Sequence, residues 1–101
     1  MITELDSTKI IDSMVSELLH HNLSLSVYTG NNWSEPCSTK EDVINHLVPD
    51  TNIIIRVWFN IWFVGIISLE FDSRELLSNM SHDVIPYVQK TIQLVKDINI
   101  N

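Results

Sequence analysis

Residues 52–71 read NIIIRVWFNIWFVGIISLEF. Asn52 to Phe59 and Trp62 to Phe71 are crowded with Ile, Val, Phe and Trp, the side chains favoured on a pleated surface. The two runs predict an antiparallel hairpin turning near Asn60-Ile61. Arg56, Asn60, Gly65 and Ser68 interrupt the apolar stretch from Ile53 to Leu69, so it makes a poor membrane helix.

Working outward, Leu23, Leu25 and Val27 alternate with Ser24, Ser26 and Tyr28, the period-two signature of a strand with one buried face. Gly30-Asn31-Asn32 turns the chain. Trp33 to Cys37 then returns as a short strand, confined to an edge because Pro36 has no amide to donate. Towards the N-terminus, Ile10, Ile11, Met14, Val15, Leu18 and Leu19 fall on one helical stripe. They predict a helix over residues 7–21, with Asp6 or Ser7 as its cap and Asn22 at its end. Ser38-Thr39-Lys40-Glu41 fits a capping box opening a short helix that runs to about Leu47 and is closed by Pro49-Asp50. Beyond the hairpin, Asp72 or Ser73 caps a brief helical turn. Ser81 caps a final helix carrying Val84, Val88, Thr91, Ile92, Val95 and Ile98 on one stripe, with Pro86 in its first turn or so, where the missing amide costs least.

Short turns between strands and helices segregated to the ends predict an α+β fold. Its small antiparallel sheet has three to four strands with helices packed on one face, in the order α-β-(β)-α-β-β-α(α). Residues 1–101 read as one compact domain, since a chain of 101 residues can bury roughly 65% of its unfolded surface in a single core. With 45% hydrophobic and 19% charged residues it is too apolar to be disordered.

Thirteen Asp and Glu residues against six Lys and Arg give a net charge of -7. No basic stripe exists to release counterions, so direct nucleic-acid binding is not expected. Mimicry of DNA is not expected either. Seven charges over about 5,900 Å² is one per roughly 840 Å², against one per roughly 107 Å² on a duplex. Glu41-Asp42 and the Glu70, Asp72, Glu75 stretch, interrupted by Arg74, are the nearest approach to clusters. Cys37 is the single cysteine, which excludes an intramolecular disulfide and a cysteine-rich zinc framework. The polar start MITELDSTK lacks the pattern of a secretory signal, and a cytoplasmic location is expected.

Four stretches carry a family resemblance: Asn22 to Trp33 (NLSLSVYTGNNW), Ser38 to Val43 (STKEDV), Ile55-Arg56-Val57, and Gly65 to Leu69 (GIISL). Together they resemble a family of small uncharacterised proteins encoded by phages and prophages, with its "SVxDGEEW" strand and turn, "ST-D" helix start, "LRVRDxDG" hairpin and "LGxVxLVYGN" strand. The resemblance spans roughly residues 15 to 80. It implies a cytoplasmic, noncatalytic accessory protein and brings no catalytic residues. The chain departs from the pattern at the hairpin, where a polar Arg-Asp-Ala-Asp-Gly turn is replaced by Trp58-Phe59-Asn60-Ile61-Trp62-Phe63. It departs again after Gly65, where Glu70-Phe71-Asp72 replaces a Tyr-Gly-Asn turn.

Alternation sends only half of those six side chains to a covered face, leaving a patch of the size a soluble monomer seldom exposes. Two readings stand. Either the terminal helices cover both hairpin faces or Trp33 and Trp58 simply fill core, or else Trp58, Phe59, Ile61, Trp62 and Phe63 form a protein interface. Aromatic anchors favour the interface, with a host protein or with a second copy in a homodimer.

His20, His21, His46 and His82 form no His-x-x-x-His or His-Glu-x-x-His pair, although His20 near Glu17 and His82 beside Asp83 set an imidazole near an acid. No metal is expected. Cys37 before Ser38 raises a thiol at a helix start, but the sequence places no base beside it. Gly30 and Gly65 make no phosphate loop, so no nucleotide, cofactor or small-molecule substrate is expected. Three functions follow in order. The first is a noncatalytic accessory protein of mobile-element type that binds a host protein as an inhibitor, including one of host defence, or binds itself. The second is an immunity protein neutralising a basic toxin, and the third a small cysteine- or histidine-dependent enzyme.

Overall fold

The computed structural model of the chain describes residues 3–28, 30, 32–47, 52–71 and 76–100. Its elements run α1 (Glu4–His20), β1 (Ser24–Tyr28), α2 (Lys40–His46), β2 (Ile53–Phe59), β3 (Trp62–Leu69), β4 (Leu77–Met80), a 3-10 turn (Ile85–Tyr87) and α3 (Gln89–Ile100). The four strands lie in sequence order and are antiparallel throughout. This is the expected α+β class, with α1 and α3 packed together.

Helix α1 starts three residues earlier than the apolar stripe suggests. Thr3 is the cap, not Asp6 or Ser7: its hydroxyl accepts from the Asp6 amide (3.1 Å), and the Asp6 carboxylate accepts from the Thr3 amide (3.0 Å). The Thr3 amide foremost, with the Thr3 hydroxyl beside it, holds the Asp6 carboxyl below its ordinary pKa. Their support for the helix start is present above the ordinary carboxylate value and fades as the pH falls through the lowered one.

The other end closes as expected at Asn22, which takes a left-handed φ of 60°. The Asn22 amide donates to the Leu19 carbonyl and the Leu23 amide to that of Leu18, while Leu23 and Leu18 are both buried. Between these caps Ile10, Ile11, Met14, Val15 and Leu18 form the buried stripe.

In β1 and β2, Leu25, Val27, Ile53, Ile55 and Val57 are buried and join α1 and α3 residues in one hydrophobic cluster. Trp33 to Cys37 follows the free side of β1 as an irregular edge. Isolated bridges pair Tyr28 with Trp33 and Leu25 with Cys37, and Pro36 falls in the gap between them. Helix α2 is capped by Thr39, whose hydroxyl accepts from the Asp42 amide, so the cap falls one residue after the expected Ser38. Lys40 bridges to Asp12 of α1 at 2.5 Å with both side chains about half exposed, a contact of little energetic weight.

The sequence reading differs most from the structure after β3. Strand β4 carries no strand signal in the sequence, because Leu77-Ser78-Asn79-Met80 is short and contains residues poorly suited to strands. Ser81 opens no helix. Its amide donates to the Ile66 carbonyl and its hydroxyl accepts from the Ile66 amide (2.9 Å), which extends the β3–β4 ladder. Pro86 sits in the 3-10 turn, and Val84 and Val88 reach the core from the turns around it, so α3 begins only at Gln89. The turn expected at Asp72 or Ser73 and the closure at Pro49-Asp50 lie outside the described residues.

The start of α3 is capped from another helix. The Glu17 carboxylate of α1 accepts from the Lys90 amide (3.2 Å), the Thr91 amide (2.6 Å) and the Thr91 hydroxyl (2.7 Å). Ser13 Oγ lies 2.8 Å from the same hydroxyl of fully buried Thr91. One carboxylate thus serves amides that the helix leaves unpaired and places negative charge at the positive end of its dipole.

Candidate functional site

The hairpin register decides where each tip side chain goes. Phe59 pairs with Trp62, Trp58 with Phe63, and Val57 with Gly65, leaving Val64 as a bulge. Phe59 and Trp62 therefore share the face of buried Val57, whereas Trp58 and Phe63 share the opposite face. Asn60, at a φ of 54°, supplies the left-handed residue of the two-residue turn. Gly65 is needed where the β4–α3 connection crosses the covered face, since a Cβ there would lie 2.6 Å from the Ser81 Cβ.

Past that crossing nothing among the described residues covers the tip. Ile61 is 83% exposed, Trp62 69%, Phe63 55% and Phe59 47%. Trp58 is half-buried, its Nε1 donating to Ser26 Oγ (3.2 Å) and its ring standing edge-on to Phe63 at 5.5 Å. Of the five residues singled out by sequence, Trp58 is thus the footing, and the other four are displayed on both faces of the tip. The reading in which helices cover both hairpin faces does not describe this arrangement.

A second group on the same open face was not found from sequence. The Arg56 guanidinium lies 3.9 Å from the centre of the Trp33 ring, which packs against Tyr28 at 5.1 Å. Among the described residues no carboxylate pairs with Arg56. Arg56 and Trp58 occupy alternate positions and were legible as sharing a face, but Trp33 reaches them only through the edge pairing beside β1.

The thiol and the imidazoles are arranged otherwise. Cys37 Sγ lies 3.8 Å from His46 Nδ1, a pairing that sequence did not identify. That nitrogen is 2.7 Å from the Asp42 carbonyl, which accepts its proton, while the thiol donates to the Glu35 carbonyl (3.3 Å). The Nδ1 lone pair needed to deprotonate the thiol is absent in this tautomer. His21 packs edge-on to Tyr87, and Glu17, the acid nearest His20 in sequence, is engaged at α3. Among the described residues no three His, Cys, Asp or Glu groups converge as metal ligands.

A groove of about 570 Å³ between α1 and α2 has Ile11, Ile44, Leu47 and Phe71 among its lining and none of the five tip residues Trp58, Phe59, Ile61, Trp62 and Phe63. Among the described residues no helix is long and apolar enough to cross a membrane. Compared with known proteins, the chain matches no family model, no curated protein and no solved structure.

Proposed function

We propose that the chain is a noncatalytic accessory protein of phage or mobile-element type that acts by docking a protein on its aromatic hairpin. The observation that carries this reading is the tip itself, where Phe59, Ile61, Trp62 and Phe63 stand exposed at a turn that is ordinarily polar. Tryptophan anchors of this kind dominate binding energy at interfaces. Resemblance of the flanking motifs to phage-encoded proteins supports the mobile-element setting and a host-directed, inhibitory role in the cytoplasm. The hydrogen bonding of Cys37 and His46 supports a noncatalytic reading. A second reading, an immunity protein for a basic toxin, is favoured by the net charge of -7, because a negative surface speeds encounter with a positive partner.

A photo-crosslinking residue in place of Ile61, at the most exposed of the tip positions, tests the docking element directly. Irradiation in cells is expected to give an adduct of discrete mass. Adding Trp62→Ser is expected to reduce its yield, with an affinity loss of about 30-fold for an anchor worth about 2 kcal/mol. No adduct, or one indifferent to Trp62→Ser, would refute the hairpin as the docking element.

A further inference from the structure

We infer that the occupant of the hairpin is a second copy of this chain, packed tip to tip about a two-fold axis. The inference rests on the docking role just proposed and names its partner.

Area is the first support. Aromatic side chains present about 150–250 Å² each, so the exposed fractions of Phe59, Ile61, Trp62 and Phe63 leave roughly 500 Å² of apolar surface. That is near the upper end of what a monomer displays. Phe63 faces away from Phe59 and Trp62, so a two-fold contact on the side of Phe59, Ile61 and Trp62 removes roughly 800 Å² from water, the size of a weak, concentration-dependent interface. A two-fold contact needs only this one patch, because each copy offers the other the same surface.

Charge is the second support, and it separates a second copy from a basic stranger. Residues 57–69 contain no ionisable side chain, although the chain carries a net charge of -7. Exposed carboxylates lie instead outside the tip, on α1 and α2 at Glu4, Asp12, Glu41 and Asp42, and also at Glu35, Asp83 and Asp97. A basic partner would find its complement there and not at the tip. Two acidic copies, in contrast, repel over most of their surface and meet without opposed carboxylates at the hairpin. Salt therefore has opposite effects in the two cases: it screens repulsion between the acidic bodies and tightens self-association, but weakens capture of a basic protein. In the dimer the acidic helical faces remain free for any other partner.

Light scattering on a size-exclusion column tests this with the purified chain. Loading is varied about a hundred-fold, at low and at high salt. The wild type is expected to shift from 11.7 kDa towards twice that mass, at lower concentration when salt is high. Trp62→Ser is expected to weaken association by about 30-fold or more. Ile61→Glu sets like charges on both tips and is expected to hold the chain at 11.7 kDa; at 83% exposure it serves even if Trp62→Ser proves unstable. A wild type that stays at 11.7 kDa throughout overturns the inference. So does a dimer that both variants leave intact, or one that salt dissociates. A monomeric wild type that still gives a crosslinked adduct in cells removes the second copy but keeps the docking role; a monomer with no adduct removes both.

Discussion

Ile55→Ala is expected to lower the free energy of unfolding by about 2–5 kcal/mol, the usual cost of truncating a large aliphatic side chain in a closed core. Ile55 is fully buried on an interior strand, between Val27 of β1 and Ile67 of β3, and both of these are also fully buried. Backbone pairing on both sides holds β2 in place, so the sheet cannot collapse into the space left behind. A small domain has only about 5–15 kcal/mol of stability in total, and the variant should therefore be partly unfolded at modest urea. Urea unfolding followed by far-ultraviolet circular dichroism measures this. A loss below about 1 kcal/mol would mean that the sheet does not carry the core in this register.

Glu17→Ala is expected to cost about 2 kcal/mol, although a partly exposed glutamate on a helix surface ordinarily tolerates alanine. The difference comes from α3. Removing the carboxylate leaves the Lys90 and Thr91 amides without their acceptor and the Thr91 hydroxyl with Ser13 alone, and Thr91 is fully buried, where water does not replace the lost partner. Glu17→Gln keeps an acceptor oxygen without the charge and should fall between the wild type and alanine. The same urea titration reads all three. Hydrogen exchange adds a local check, with the amides of Lys90 and Thr91 expected to lose protection before those of β2. An alanine variant as stable as the wild type would show that α3 needs no cap from α1.

The Glu17 contact shows where sequence reading runs out. Its bonds to Lys90 and Thr91 join residues more than seventy positions apart, and no local pattern announces them. The apolar stripe of α1, the Asn22 stop, the alternation of β1 and the hairpin were legible because each depends on neighbours within a few residues. The N-terminal cap was misplaced for the same reason: the stripe marks where a helix begins to bury side chains, and Thr3 begins the backbone bonds a turn sooner. Strand β4 has no propensity of its own and exists because β3 offers it an edge. At the candidate site, the five hairpin residues stood out by composition alone. That four are displayed while Trp58 is tied to Ser26 followed only from the register and the bulge at Val64.

The central claim is that the aromatic tip is a surface for binding and not part of what holds the fold together. Urea unfolding of Trp62→Ser beside Ile55→Ala, at a protein concentration low enough to suppress association, tests it most directly. Trp62→Ser is expected to change stability by less than about 1 kcal/mol, reflecting only its cross-strand pairing with Phe59, while Ile55→Ala loses several times more. A Trp62→Ser loss as large as that of Ile55→Ala would place the tryptophan in the core and contradict the account.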